Sequence, residues 1–255
     1  MSQSDLFLSN ELDGSLDAFL TSKRPEPEPL ATSQEIRDRG SIFVANIFQV
    51  KTPEAARARA SHVKHVLHRK RKATHEIFAW RCMVLKSGRS GLEGDDDFDL
   101  VQGSKDDGES WAGGKVLKIM QNLAVIDAVV VVTRWYGGTM LGPARFTHIE
   151  TCATEVCKAF KQSEEMQDHI ETLRNLDSLL ASHREQLASL KQSDERRHSD
   201  NDSAPIIPSH LKKNTKKSAY EGLDIPKAKR LIQAREASIK SVKGMIAKLK
   251  EPEPS

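Results

Sequence analysis

The chain has 255 residues, of which 38% are hydrophobic and 29% charged, with a formal net charge of +3 and a mean hydropathy of −0.53. This apolar content lies below the usual globular share, so the sequence favours one moderate core with long polar segments over two full domains. Three cysteines without a C-x-x-C pair argue against a disulfide framework or a zinc site. The lack of a long apolar run or a secretory signal predicts a cytoplasmic protein, and the clusters of lysine and arginine leave the nucleus as an alternative location.

Residues 1–40 are predicted to form a disordered acidic arm. Residues 1–32 contain six acidic and two basic side chains, which gives them a net charge of −4. Proline and glutamate alternate over residues 25–29, and this alternation favours an extended, solvated backbone.

A globular domain is predicted over residues 41–160. Its first strand begins at Ser41, and Thr52-Pro53-Glu54 then predicts a helix start with an N-cap, a proline and an acidic first turn, followed by a helix to about Arg69. The later elements are a strand over Glu76–Leu85, a loop over Ser87–Lys105 whose acidic run need not be ordered, a helix over Gly114–Leu123, a strand over Ala128–Trp135 and a helix opened by Pro143. This order predicts an α+β fold in which helices pack on a mixed β-sheet.

Residues 161–196 are predicted to continue the last helix as a short or imperfect coiled coil. Leucine, isoleucine and methionine recur there at heptad spacing, but Asp177 and Arg184 interrupt the apolar seam. The helix could pair with another chain, giving self-association through residues 160–191, or fold back on a later helix. Residues 197–225 are predicted to be a flexible linker, and residues 226–255 a basic helix and tail.

The run Val129–Gly142, which reads VVVVTRWYGGTMLG, places a buried strand directly before an arginine, two aromatic residues and two glycines. Polar residues of this kind at the end of a buried strand suggest a binding surface. Together with polar residues from neighbouring sequence blocks, they form the candidate motif surface: His75, Arg81, Asp106, Asp107, Glu109, Arg134, Trp135, Gly137, Gly138 and Arg145.

Three roles for these residues stay open at this point. Arg134 could pair with one of the nearby carboxylates and fasten the loop, or the arginines could grip a phosphate. Three carboxylates within four residues, Asp106, Asp107 and Glu109, could instead hold a magnesium ion for catalysis. The sequence contains no G-x-S-x-G or Walker motif, so we assign no catalytic residue, metal or cofactor.

A dense cationic cluster follows the first predicted helix, and it comprises Lys64, His68, Arg69, Lys70, Arg71 and Lys72. Cations at a helix C-terminus are favoured by the helix dipole, but this cluster exceeds what a cap needs. The cluster could therefore contact RNA, the ribosome or an acidic protein surface. Trp80, Trp135 and Tyr136 could stack on bases or pack structurally.

The ordered blocks A-T-H, A-W-R, D-D-G-E, A-G and V-T-R-W-Y-G-G-x-x-L-G, between Ser41 and Phe160, resemble the IMPACT family. The resemblance implies an α+β domain related to one found in ribosomal proteins and elongation factors. It also implies a regulator that damps the amino-acid-starvation response by competing for the ribosome-associated activator of a kinase. In those regulators an RWD domain precedes the motif domain, and we expect it to be lacking here.

We therefore expect a non-enzymatic cytoplasmic regulator of translation that acts through protein–protein contacts. Its partner would belong to the translation or ribosome-associated kinase-activation machinery. The alternatives are direct binding of RNA or the ribosome and, as a minor alternative, a metal-dependent enzyme that handles phosphate.

Overall fold

The computed structural model describes residues 27–198, 220 and 222–250, with only the backbone for residues 194–198. The first 26 residues of the predicted acidic arm lie outside this range, as do most residues of the predicted linker over 197–225. The chain divides into two compact units between Cys157 and Lys158. None of the helices in the described ranges combines the length and the apolar composition that a membrane span requires.

The first unit is built on a six-stranded sheet. Its strands are β1 (Ala31–Thr32), β2 (Ile36–Asp38), β3 (Ser41–Gln49), β4 (His75–Leu85), β5 (Phe98–Lys105) and β6 (Ala128–Trp135). The strand order is β1-β3-β6-β4-β5, and β2 also pairs with β3. The described helices are α1 (Pro53–His62), which continues as a π-helical turn (Val63–Leu67), α2 (Ala112–Asn122), α3 (Ala144–His198) and α4 (Ile225–Lys250).

The α+β class is confirmed, but every strand pairing is antiparallel, whereas the sequence suggested a mixed sheet. Strands β3 and β4 are parallel to each other, as a helical crossover through α1 would suggest. They are not neighbours, because β6 lies between them and pairs antiparallel with both. The unit therefore contains a split β-α-β arrangement rather than adjacent parallel strands.

Strand β6 is the buried centre of the sheet, as its run of valines predicts. Residues 128–134 are all buried, and Val129 and Val131 pack in one cluster with Phe48 of β3 and with Ala56 and Ala60 of α1. The predicted start of α1 is also confirmed, since Thr52 Oγ1 accepts a hydrogen bond from the Ala55 N–H at 3.1 Å. This packing fixes the end of β6, where the motif begins.

Part of the predicted acidic arm is folded. Strands β1 and β2 pair with the outer edge of β3, and between them the buried Ser33 Oγ accepts a hydrogen bond from Ala45 N at 2.9 Å. These short strands carry little apolar periodicity, because they cover only one sheet edge. The folded domain therefore begins before residue 41, where the sequence placed its start.

The predicted loop over Ser87–Lys105 is wrong in its second half, which forms β5. This strand lies at the sheet edge with most side chains exposed, so it lacks the apolar alternation that would reveal it. The acidic run before it is ordered around Asp97, which is buried and whose Oδ2 accepts a hydrogen bond from Glu93 N at 3.1 Å.

In the second unit the distal part of α3 folds back on α4. Leu180 packs with Ile239, Val242 and Ile246 of α4 in one buried cluster. The predicted interruption at Asp177 is compensated, because Arg235 Nε donates to Asp177 Oδ1 at 2.5 Å. Of the two pairings that the sequence left open, the structure shows the fold-back.

We expect Leu180→Ala to expose α4, because truncating a buried leucine costs about 2–5 kcal/mol. Hydrogen exchange should become faster throughout residues 225–250. The matched control is Leu179→Ala, since Leu179 is exposed and its truncation should leave that exchange unchanged. Light scattering on both variants measures self-association. A lower molar mass for Leu180→Ala alone would show that the cluster around Leu180 joins two chains and not two helices of one chain.

Candidate functional site

The motif residues meet at the end of the sheet where β4 begins and β6 ends. His75 is the register partner of Arg134, and Thr74 N donates a hydrogen bond to Arg134 O at 2.9 Å. The turn after β5 brings Glu109 to the same place. Residues that are more than 20 positions apart in sequence therefore form one cluster.

Glu109 is the centre of this cluster, and it is 4% exposed. One carboxylate oxygen pairs with Arg134 Nη1, and the other accepts a hydrogen bond from Arg145 Nε at 2.7 Å. His75 Nε2 lies 3.5 Å from Oε1 of the same carboxylate. The Arg134 guanidinium also lies near two aromatic rings, 5.4 Å from the ring centroid of Phe43 and 5.4 Å from that of Tyr136. The pairing of Arg134 with a motif carboxylate, one of the roles left open above, is therefore present.

The three carboxylates of the motif point to different partners. Asp106 caps α2, because its Oδ2 and Oδ1 accept hydrogen bonds from Trp111 N at 2.9 Å and Gly113 N at 2.7 Å. Asp107 Oδ2 accepts a hydrogen bond from Glu76 N at 2.8 Å. This divergence argues against the suggested magnesium site, and within the described ranges no group of three or more His, Cys, Asp or Glu side chains is arranged to hold a metal.

The backbone of the turn explains this divergence. Asp107, Gly108 and Trp111 have φ values of +45°, +90° and +74°, which turn successive side chains away from one another. His75 follows the same turn, since its Nδ1 lies 2.9 Å from the Asp107 carbonyl oxygen. A carbonyl oxygen only accepts hydrogen bonds, so Nδ1 carries a hydrogen and Nε2 is the nitrogen that faces Glu109.

A cavity of about 380 Å³ opens beside the Glu109 cluster, and we call it the motif cavity. Its lining residues are Thr74, His75, Glu109, Arg134, Tyr136, Met140, Leu141, Gly142 and Arg145. Met140 is 81% exposed at this cavity. The sequence did not single out Thr74 or Met140, although Thr74 lies within the A-T-H block and Met140 within the V-T-R-W-Y-G-G-x-x-L-G block.

The two motif glycines are required for different reasons. Gly138 has a φ of +85° with open space around it, whereas a Cβ on Gly137 would overlap backbone atoms of Gly40 and Ser41. Gly137 N also donates a hydrogen bond to Ser41 Oγ at 3.2 Å. The loop after β6 is therefore held against the start of β3.

Trp135 makes three packing contacts with the cationic cluster. Its Nε1 donates a hydrogen bond to Arg71 O at 3.0 Å. The His68 ring contacts it edge-on at 4.9 Å between centroids, and the Arg71 guanidinium lies 5.2 Å from its centroid. The cationic cluster is thus joined to the motif loop through Trp135.

The cationic cluster divides into two parts. Lys64 Nζ lies 3.3 Å from Glu76 Oε2 and 3.6 Å from Asp107 Oδ2, and the Glu76 carboxylate raises the pKa of Lys64. Burial lowers the pKa of His68, and Glu76 opposes that shift. Arg69, Lys70, Arg71 and Lys72 are exposed; none of these four forms an ion pair with a carboxylate of the described chain. We call them the basic turn.

Arg81 lies apart from the motif cavity, contrary to its assignment to the motif surface. It is the register partner of Ala128 at the start of β6, whereas His75 partners Arg134 near the end of that strand. Its Nη1 donates hydrogen bonds to Met120 O at 3.2 Å and Val125 O at 3.0 Å. Arg81 therefore fastens the end of α2.

With this geometry established, comparison with known proteins gives a consistent match. Residues 39–157 match the model of the Impact N-terminal domain. Protein IMPACT of Mus musculus is 38% identical over 139 residues, covering 52% of this chain and 39% of the mouse protein. Protein IMPACT of Homo sapiens is 34% identical over 165 residues, covering 60% and 47%.

One solved structure is also similar to this chain in sequence. The structure of the two-domain translational regulator Yih1 is 37% identical, covers 49% of this chain and 44% of its own, and has a TM-score of 0.32. The chain spans less than half the length of the curated relatives described above.

Proposed function

We propose that this chain is a non-enzymatic regulator of translation, because its residues 39–157 match the model of the Impact N-terminal domain. It would act in the cytoplasm through protein–protein contacts in amino-acid-starvation signalling. The partner would be a protein of the translation or ribosome-associated kinase-activation machinery.

The observation that carries the proposal is the basic turn and its apolar neighbours. Its four cations are exposed, and Val66 and Leu67 just before them are 42% and 43% exposed. Arginine beside exposed apolar side chains is the composition of a protein interface. An acidic partner surface would pair with these cations while covering the apolar side chains.

Direct binding of RNA or the ribosome is the second candidate, favoured by the exposed charge of the basic turn. Such binding gains much of its affinity from phosphate contacts and aromatic stacking. The ring of Trp135 is already contacted by His68 and Arg71, so it takes part in packing within the chain. This occupation supports the protein partner over RNA.

The test is affinity capture from cytosol with Arg69, Lys70 and Lys72 all changed to Glu. Arg71 stays unchanged, because it packs on Trp135. The matched control reverses three exposed cations elsewhere, Lys51, Lys118 and Lys158. Each sample is captured with and without nuclease and at two salt concentrations.

We expect a specific translation-associated protein to be retained after nuclease treatment by the wild type and the control, and to be lost from the variant. Captured material that disappears with nuclease, with a steep salt dependence, would favour direct RNA or ribosome binding instead. Equal capture by the variant and its control would contradict both candidates at this surface.

A further inference from the structure

We propose that the motif cavity binds a phosphate monoester attached to a small apolar or aromatic group. This inference goes beyond the proposed function, because it concerns a small ligand in the cavity and not the exposed basic turn. It rests on charge, on an unsatisfied buried donor and on the shape of the cavity.

The cavity retains positive charge after its internal pairing is counted. Arg134 and Arg145 both line it, and Glu109 is the carboxylate that pairs with both. One positive charge therefore remains without counting His75. The start of α3, just after Gly142, adds a partial positive charge of roughly half an elementary charge. The sum suits a phosphate monoester, which carries about −1.5 to −2 at pH 7, better than a single carboxylate.

A second, independent observation is that one hydrogen-bond donor of Arg134 is buried without a partner. The residue is 5% exposed, and its Nε is buried without a hydrogen-bond partner. Buried donors in proteins are nearly always paired, so an unpaired guanidinium donor beside a cavity needs an explanation. A planar guanidinium presents several donors that match the oxygens of a phosphate.

The walls of the cavity indicate what the phosphate is attached to. Tyr136, Met140 and Leu141 line it beside the charged groups, and Tyr136 and Met140 keep much of their surface exposed. A volume of about 380 Å³ lies within the range of small-molecule sites, in which a few polar groups orient a ligand against apolar walls. Inorganic phosphate would leave those walls uncovered, so phenyl phosphate should bind more tightly.

The experiment titrates the full chain with phenyl phosphate, inorganic phosphate and benzoate, using amide NMR shifts to locate binding. The main variant is Met140→Glu, which adds a negative charge at an exposed position and leaves the Glu109 cluster intact. Its matched control is Leu92→Glu, at a residue that is 90% exposed and outside the cavity. Arg145→Met is the second variant, and its thermal melt is measured alongside.

We expect saturable shifts at Thr74, Tyr136 and residues 140–142, with phenyl phosphate binding more tightly than inorganic phosphate or benzoate. Met140→Glu should weaken binding about threefold or more and Leu92→Glu should not, since charges this close interact even when partly screened. Arg145→Met should weaken binding roughly tenfold, the loss expected for a charge-assisted hydrogen bond.

Shifts confined to the basic turn would overturn the proposal, as would equal binding by Met140→Glu and its control. Equal affinity for benzoate and phenyl phosphate would overturn the choice of a phosphate. These outcomes are independent of the capture experiment, which changes only cations outside the motif cavity.

Discussion

Replacing Glu109 with Gln should reduce the free energy of unfolding by about 3–5 kcal/mol. Glu109 is buried, and its carboxylate pairs with Arg134 and Arg145. The isosteric amide keeps the volume but removes the charge, so the buried Arg134 guanidinium loses its counter-ion. Breaking a buried ion pair from one side carries this large cost because a charge is left uncompensated in a poorly solvated site. Urea unfolding followed by circular dichroism measures it.

Glu93→Gln is the matched control, because Glu93 pairs with Arg89 at 2.9 Å on the surface. Exposed ion pairs contribute about 0–1 kcal/mol. A double variant, Glu109→Met with Arg134→Met, should recover part of the lost stability, since replacing both partners of a buried pair is often neutral. A Glu109→Gln cost no larger than that of Glu93→Gln would show that the pair does not hold this end of the sheet.

The residue types of the cluster were predictable, but its geometry was not. The sequence marks Arg134 at the end of a buried strand and Glu109 in a nearby acidic turn, and it allows them to pair. It cannot show that Asp106, Asp107 and Glu109 diverge, because that depends on positive φ values at Asp107 and Gly108. A non-glycine residue adopts such a conformation only when surrounding contacts hold it there.

Arg81 shows a second reason why the geometry of the site could not be predicted from the sequence. Its block reads like part of the same surface, but an extended strand advances about 3.3 Å per residue. Six residues of β4 therefore separate it from His75 by roughly 20 Å. The order of the strands decides which end of β4 lies at the site. In this sheet β6 lies between β3 and β4, and no pattern in the sequence of β4 itself indicates that order.

The elements with strong burial were predicted well, and those without it were missed. Strand β6 carries a continuous apolar run and lies over Ala128–Trp135, where the sequence places it. Strand β5 pairs with β4 along eight residues, but most of its side chains are exposed. Backbone hydrogen bonds define an edge strand of this kind, and they leave little trace in side-chain composition.

Gly137→Ala should destabilise the first unit by about 3 kcal/mol or more, the upper range for overpacking. The added Cβ would overlap the carbonyl group of Gly40 and the amide nitrogen of Ser41. Backbone atoms cannot move aside as a flexible side chain can. The hydrogen bond from Gly137 N to Ser41 Oγ would be strained by the same displacement. Thermal and urea unfolding of the full chain measure the loss.

Gly138→Ala is the matched comparison, because the neighbouring glycine has open space but a φ of +85°. Its cost should be about 1 kcal/mol, that of placing an L-residue in the left-handed region. The order of the two variants therefore separates close backbone approach from conformational strain. If Gly138→Ala destabilised the protein more than Gly137→Ala, the glycine pair would be needed for its backbone conformation and not for its close contact with β3. If both cost little, the loop after β6 would be free to move away from β3.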